Sequence, residues 1–279
     1  MRTAIIKSYS KINLHLGILG KIKSGLHKIE SLIIFSDVFD LISVKEINTK
    51  KHRIFFYGNF AKKVPKKNTI SSLLDLLDKK NLLKGRKYLI KIKKNIPTKS
   101  GMGGGSMNAA TILRFFLMKK KIQIKKIDIS KICSSIGSDV ILGLDNRAKI
   151  LRDDGEIIFL KKKPFFHLIL IKPNFGCSTK KIYKGVSNFS KSLLTNKKTN
   201  KANFKNFKND LEKVSFKEYP KLSNIKDNLL KIPNIIFARM TGSGSTLVGY
   251  FLRKKDVLNG VKILKKKYKN CWCIASKTI

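Results

Sequence analysis

Ile96-Pro97-Thr98-Lys99-Ser100-Gly101-Met102-Gly103-Gly104-Gly105-Ser106-Met107-Asn108-Ala109-Ala110 is the stretch on which the reading of this chain turns. Four glycines in five positions, 101 to 105, leave the main chain without Cβ atoms, so amide N–H groups can close around an anion. A helix follows at once. Ser106 can cap it, and Ala109, Ile112, Leu113, Phe116 and Leu117 recur at i, i+3, i+4, i+7 and i+8 as one apolar face. A glycine loop that feeds a helix N-terminus aims free amides and the positive dipole end at whatever lies above them, and phosphate is the usual occupant. A plain glycine-rich turn would need neither the cap nor the periodic helix.

The residues before the loop fit the same unit. In Tyr88-Leu89-Ile90-Lys91-Ile92-Lys93, Tyr88, Ile90 and Ile92 fall on one side and Lys91 and Lys93 on the other, which is strand periodicity. The unit is strand, glycine loop, helix. It is not a Walker A loop, because no G-x-x-x-x-G-K-[ST] occurs in the chain, and Ser106 stands where the last glycine of the dinucleotide fingerprint would be needed.

At 279 residues the chain is long enough for two domains, and 42% hydrophobic residues is ordinary for a globular protein. The charge is not ordinary: 61 Lys+Arg against 17 Asp+Glu leaves +44. A dedicated nucleic-acid binder would gather its basic residues into a patch or tail with arginine forks and interleaved aromatics. Here the basic residues are 53 lysines and eight arginines spread over the whole length, with Asn and Ile also abundant. Lys, Asn and Ile share A/T-rich codons, so the excess reads as a coding bias expressed on solvated surfaces. It would still attract polyanions without specificity and draw in anionic substrates.

Cys133, Cys177, Cys271 and Cys273 make no C-x-x-C pair, and the Cys271-Trp272-Cys273 triplet reads as strand side chains sharing a face rather than as a zinc site. Lys7 and Lys11 interrupt the apolar residues of the N-terminus, which leaves no secretory core, and no apolar run approaches the ~18 residues of a membrane span. The expectation is a reduced, cytoplasmic protein with no membrane partner.

Residues 1–60 read as strands at Ala4 to Ile6, Ile12 to Ile18, Glu30 to Phe35, Leu41 to Val44 and Ile54 to Tyr57, with a turn at Lys21 to Gly25. Asn68 or Thr69 can cap a helix carrying Ile70, Leu73, Leu74 and Leu77. Asp128 is placed to cap another, with Ile129, Ile132, Cys133 and Ile136 at core spacing and Gly137 ending it. Residues 145–160 return to strand, with a turn at Asp153-Asp154-Gly155. Lys161-Lys162-Lys163-Pro164 is the best boundary, dividing the chain into 1–160 and 161–279. Beyond it come a buried strand at Phe165 to Ile171, a polar Lys/Asn-rich connection at Ser187 to Asn209, strands at Ile235 to Met240 and Thr246 to Phe251, a helix at about Asp256 to Lys267 and a closing strand at Cys271 to Ile274. This half suits a small split βαβ sandwich.

Three segments stand out as chemistry. Tyr9-Ser10-Lys11-Ile12-Asn13-Leu14-His15-Leu16 sets Lys11 and Asn13 on one strand face. The glycine loop is joined by Gly137-Ser138-Asp139-Val140-Ile141, and near the end stands Arg239-Met240-Thr241-Gly242-Ser243-Gly244-Ser245. Asp139 precedes an apolar run, where a carboxylate needs a cationic partner to ionise comfortably; by position alone it reads equally as a helix N-cap, and Lys11 as one more surface lysine.

In this order and spacing the three segments resemble the motifs of the GHMP kinase superfamily over nearly the full chain. Within it, Lys11-Ile12-Asn13-Leu14, Gly25-Leu26-His27-Lys28-Ile29 with Ser31-Leu32, the glycine loop, Gly137-Ser138-Asp139-Val140 and Ala238-Arg239-Met240-Thr241-Gly242-Ser243-Gly244 are similar to the kinases that phosphorylate the 2-hydroxyl of 4-diphosphocytidyl-2-C-methyl-D-erythritol on the non-mevalonate route to isoprenoid precursors.

The resemblance implies an α+β fold of two domains, the N-terminal one like a ribosomal-protein domain and the C-terminal one ferredoxin-like. It implies ATP and Mg²⁺ as cofactors, a small-molecule substrate, no specific nucleic acid, and a monomer or homodimer. It also implies roles. Lys11 pairs with Asp139, which accepts the hydroxyl proton. Pro97, Gly101, Gly103, Gly104, Gly105 and Ser106 hold the triphosphate, Asn68 and Lys94 lie near adenine, and Ser106 is a metal ligand. Asn13, His27, Thr179, Tyr183, Gly242, Ser243 and Gly244 bind the acceptor, with His27 on the cytosine edge and Tyr183 stacked on the base. The family's usual tyrosine before that histidine is Leu26 here, and Lys99 replaces a small residue beside the loop. Homoserine and mevalonate kinases share the glycine loop and are the nearest alternatives. An RNA-binding module is a more distant one, since the N-terminal half of the superfamily shares a ribosomal-protein fold.

Overall fold

The computed structural model describes residues 2–22, 25–194 and 204–279. The chain divides into two compact units, neither contiguous in sequence: Met1–Lys11, Val38–Thr98 and Gly103–Asn146 form the first, and Ile12–Asp37, Lys99–Met102 and Arg147–Ile279 the second.

Two long strands are shared between the units. β1 (Ala4–Lys21) and β2 (His27–Ile47) pair with each other, and each begins in one unit and ends in the other. The sequence pattern predicts four short strands here; the structure has two of 18 and 21 residues. The polar residues between those expected strands (Ser10 and Lys11, Ser36 and Asp40) are buried where the strand continues, because their side chains find partners inside the protein. Of the turn expected at Lys21 to Gly25, positions 23 and 24 lie outside the described residues; Ile22 N donates to the Leu26 carbonyl at 2.8 Å.

In the first unit β3 (Arg53–Tyr57) runs parallel to β4 (Lys87–Lys93), and β4 runs antiparallel to the Leu41–Ile47 end of β2. Three helices cover one face: α1 (Thr69–Lys79), α2 (Gly104–Met118) and α3 (Lys126–Ile136). The alternation read in β4 holds, with Tyr88, Ile90 and Ile92 buried and Lys91 and Lys93 exposed. Ile42, Val44, Ile90 and Ile92 of the sheet pack with Ile70, Leu73, Leu74 and Leu77 of α1 and Ala109, Ile112, Leu113 and Phe116 of α2. Each of the Val, Leu, Ile and Phe side chains contributes on the order of 1.5–3 kcal/mol of transfer free energy. Asn68 caps α1 as expected, accepting from the Ile70 and Ser71 amides while Ser71 Oγ accepts from Asn68 N. α3 begins two residues before Asp128, which therefore stands inside the first turn, where its charge still complements the helix dipole, instead of at the cap.

The second unit holds β5 (Lys149–Leu151) and β6 (Ile157–Phe159), joined by the predicted turn with Gly155 at φ 88°, and β5 pairs with Ser31–Ile33 of β2. It also holds a four-stranded antiparallel sheet in the order β10-β7-β9-β8: β7 (His167–Lys172), β8 (Phe237–Met240), β9 (Leu247–Phe251) and β10 (Trp272–Lys277). α4 (Thr179–Lys184), α5 (Leu211–Glu218) and α6 (Pro220–Leu230) lie between β7 and β8, and α7 (Lys254–Lys267) between β9 and β10. This is the split βαβ arrangement expected. Cys271 and Cys273 both pack on the core of this sheet, and among the described residues no three His, Cys, Asp or Glu side chains could share a metal ion. Positions 195–203 of the polar connection at Ser187 to Asn209 lie outside the described residues. On either side of it, Ser190 N donates to the Ile18 carbonyl at 2.8 Å and Leu16 N to the Lys208 carbonyl at 2.9 Å.

Gly101 shows how tightly this unit is closed. At φ +75° it sits in the left-handed region, and a Cβ built on it would lie 2.0 Å from the Thr241 carbonyl oxygen. Gly101→Ala is expected to cost about 3 kcal/mol, combining a left-handed alanine with a backbone clash. Chemical denaturation reads this directly, and a loss below about 1 kcal/mol would contradict the close approach.

Candidate active site

The first unit carries the Gly103-Gly104-Gly105 end of the glycine loop and the Lys11–Asp139 pair. Gly103, at φ 68° and ψ 15°, is itself the residue before α2, and Met107 N makes the first helical bond back to its carbonyl at 2.9 Å. Ser106 is therefore the third helical residue and not the cap that its hydroxyl suggests. A glycine in the left-handed region can start the helix three residues early, because no Cβ opposes that turn. The consequence favours anion binding. The amides of Gly104, Gly105 and Ser106 have no partner four residues back, and the first turn of α2 contains no acidic side chain to satisfy the dipole.

Lys11 lies along this loop. A Cβ on Gly103 would stand 2.7 Å from Lys11 Cγ, so only glycine leaves room for the lysine stem. Its Nζ reaches Asp139 Oδ2 at 3.1 Å, with the lysine side chain 6% and the aspartate side chain 36% exposed. An enclosed ammonium thus meets a carboxylate that keeps one side open. Asp139 is held by the turn between α3 and a short 3-10 segment at Ile141–Leu144. Val140 and Leu142 are buried beside it, and Gly143 lies so close to α2 that a Cβ would come within 2.7 Å of Ala110 Cβ. Asp139 caps no helix.

Beneath the loop is a carboxylate that sequence reasoning missed. Asp40, fully buried on β2, accepts from Asn95 N at 2.8 Å, Ile96 N at 2.9 Å and Asn108 Nδ2 at 2.9 Å, and it pairs with Lys94 Nζ. It ties the end of β4 to the second turn of α2, which are the two shoulders of the loop. Its only sequence signal is an acid inside an apolar strand. Lys94, expected near adenine, has its ammonium in this buried pair, 3.3 Å from where a Cβ on Gly104 would stand. Asn68 has both ends of its amide engaged, accepting from α1 and donating to the Pro65 and Lys66 carbonyls at 3.2 and 3.1 Å. Pro97 is buried ahead of the loop, the Gly105 carbonyl accepts from Thr69 Oγ1 at 2.7 Å, and Ser106 Oγ faces Gly137.

The second unit collects the residues expected at the acceptor. Asn13 Nδ2 donates to Ser31 Oγ at 2.8 Å, and its backbone N–H donates to Thr241 Oγ1 at 3.0 Å. Asn209 Nδ2 donates to the Met240 and Gly242 carbonyls at 2.8 Å each, which holds the loop that contains Gly242, Ser243 and Gly244. Thr179 Oγ1 and Ser243 Oγ share a hydrogen bond of 2.9 Å. The rings of His27 and Tyr183 lie 5.4 Å apart at 51°. His27 Nε2 is enclosed with no hydrogen-bond partner among the described residues. Burial, and after it the charge of Lys21, hold this imidazole below the ordinary histidine range. Leu26 is 66% exposed. Lys99 takes φ 49°, and its Cβ lies 2.4 Å from where a Cβ on Gly176 would stand, so its backbone packs on that glycine.

Fold, glycine-initiated helix and lysine–aspartate pair define a small-molecule kinase of a known architecture. Residues 68–151 match the family described as GHMP kinases N terminal domain and residues 191–270 the one described as GHMP kinases C terminal. The chain belongs to the GHMP kinases. It is 52% identical over 282 residues to 4-diphosphocytidyl-2-C-methyl-D-erythritol kinase of Pelagibacter ubique strain HTCC1062, covering 100% of both chains. The enzyme of the same name from Clostridioides difficile strain 630 is 31% identical, over 97% of this chain and 94% of that one. Among solved structures, a 4-(cytidine 5'-diphospho)-2C-methyl-D-erythritol kinase superposes with TM-score 0.80 at 20% identity, covering 99% of this chain and 100% of that one. Homoserine kinase from Cytophaga hutchinsonii gives 0.70 at 13%, covering 100% and 95%. At these identities the superpositions speak for the fold.

Removing the charge of Asp40 strands the Lys94 ammonium in the interior. Asp40→Asn is expected to cost about 3–5 kcal/mol in denaturation, and adding Lys94→Met to recover most of it, because no unpaired ion then remains. A single variant as stable as the parent would mean that the carboxylate is not the strut of the loop.

Proposed function

We propose that the chain transfers the γ-phosphoryl group of ATP to the 2-hydroxyl of 4-diphosphocytidyl-2-C-methyl-D-erythritol, giving the 2-phosphate and ADP on the non-mevalonate route to isoprenoid precursors. Full-length identity of 52% with the Pelagibacter kinase supports this substrate. The observation that carries the chemistry is the 3.1 Å Lys11–Asp139 pair, with the stem of Lys11 laid over Gly103 at the start of α2.

Phosphoryl transfer requires an in-line hydroxyl and neutralised phosphate charge. The amides of 104–106 and the dipole of α2 meet the phosphates, with Gly103, Gly104 and Gly105 leaving this first turn without side chains. Asp139 accepts the proton of the attacking hydroxyl as its oxygen bonds to phosphorus and the bond to the ADP oxygen breaks. Lys11 holds the carboxylate in place. Mg²⁺ suits the oxygen donors here: the Ser106 hydroxyl would be its protein ligand, and Mg²⁺ commonly rides on substrate phosphates and water instead of a protein cage. When bound it supplies charge neutralisation.

In the second unit Asn13, Thr179 and the Gly242-Ser243-Gly244 backbone contact the acceptor, Tyr183 stacks on cytosine, and His27, whose Nε2 has no hydrogen-bond partner among the described residues, reads the base edge. Asn68 and Lys94, committed to the α1 cap and to Asp40, bound the adenine side through the backbone they position. The two family matches fall within 1–160 and 161–279, in keeping with that division of the sequence. The enzyme works in the cytoplasm as a monomer or homodimer; among the described residues no helix is long and apolar enough to cross a membrane.

ADP release measured with the cytidylated alcohol, homoserine and mevalonate tests the substrate, and turnover only with homoserine or mevalonate would overturn it. Asp139→Asn should cut turnover at least ~10²-fold while ATP still binds; full activity would remove the aspartate from the reaction.

His27 supplies a pH signature. Its pKa lies below 6.5, so the ring is neutral at pH 7 and gains a proton only as pH falls through that lowered value. KM for the cytidylated alcohol should be flat above pH 6.5 and rise below it, and His27→Gln should remove the rise. A rise that persists in the variant would assign it to another group.

A further inference from the structure

The first unit leaves one face of its sheet open. Its helices pack on the side of Ile42, Val44, Ile90 and Ile92, and the alternate residues point away from them. On that outer side β3 presents Arg53, Phe55 and Tyr57, β4 presents Lys91 and Lys93, and β2 presents Lys45, all exposed. None of the outward positions of these three strand segments is Asp or Glu.

Lysine is everywhere on this protein, so the charge alone singles out nothing. The rings do. Phe55 is 53% and Tyr57 49% exposed, on consecutive outward positions of a strand at the edge of the sheet. Scattered apolar side chains on a surface need no explanation, but two neighbouring aromatic rings set among cations have a specific use. Residues two apart on a strand are separated by about 6.6 Å, a step that unstacked nucleotides can match. Phe55 lies opposite Lys91 and Tyr57 opposite Lys93 in the parallel β3–β4 register. Each ring therefore has a cation one strand away, about 4.8 Å across the sheet, which is the scale on which a nucleotide carries base and phosphate.

We propose that this face binds single-stranded nucleic acid without sequence preference, bases stacking on Phe55 and Tyr57 and phosphates meeting Lys91, Lys93, Arg53 and Lys45. The side chains used are separate from those assigned to catalysis. Ring stacking tolerates any base, and the lysines track a backbone, which is the pattern of sequence-independent single-strand binders.

The test is fluorescence anisotropy with a fluorescein-labelled 12-nucleotide oligouridylate. The parent is expected to bind with a strong salt dependence. Phe55→Ala and Tyr57→Ala should each weaken binding at least ~5-fold, with thermal melting unchanged because both rings are exposed. Lys91→Ala with Lys93→Ala should lower the salt slope by roughly 1 to 1.5. Ring variants that bind like the parent would overturn the proposal, leaving only dispersed charge. So would failure of the parent to bind at low salt. Two controls with the ring variants complete the test: if these substitutions instead abolish binding to phosphatidylglycerol vesicles, or self-association in light scattering, and spare oligouridylate, the face serves a membrane or a second copy and the proposal fails.

Discussion

An ammonium can be enclosed by protein only if a negative charge is brought to it, and in the first unit this requirement falls on Lys11 and Asp139. Lys11 is 4% exposed, so desolvation would expel its charge unless a carboxylate answered it. Asp139 is brought within 3.1 Å by a turn anchored through Val140 and Leu142, and that turn is pressed onto α2 where Gly143 leaves no room for a side chain. The lysine stem in turn needs Gly103 bare. The pair therefore couples three segments remote in sequence, and it leaves one side of the carboxylate open.

The same logic recurs beneath the loop. Asp40 replaces solvent for two backbone amides, an asparagine side chain and a lysine, so the loop is held from below by a fully satisfied polar cluster. In the second unit close backbone packing does comparable work: Gly101 lies against Thr241, and Asn209 holds the carbonyls at 240 and 242. Each arrangement holds the main chain of its own unit still.

Much of this was legible in order along the chain. The alternation of Tyr88 to Lys93, the apolar faces of α1 and α2, the Asn68 cap and the Gly155 turn follow from local periodicity and local hydrogen bonding, so a window of a few residues contains the cause. The start of α2 did not follow, because a glycine at φ 68° opens the helix and its conformation leaves no compositional trace beyond the glycine itself. Strand lengths at 4–47 were misjudged for a related reason: a polar residue signals a break in a strand only if it faces water, and Ser10, Lys11, Ser36 and Asp40, which fall between the expected strands, do not.

What the sequence by itself determined is the set of local elements, the strand–glycine–helix unit and, through motif resemblance, the family. What only the tertiary structure decided is which charges meet. Lys11 was one lysine among 53 and Asp40 had no motif at all; each acquires its partner across 128 and 54 residues of chain. Periodicity reports which side of an element is dry. It carries no information on which buried charge lies opposite, because that pairing is an outcome of packing.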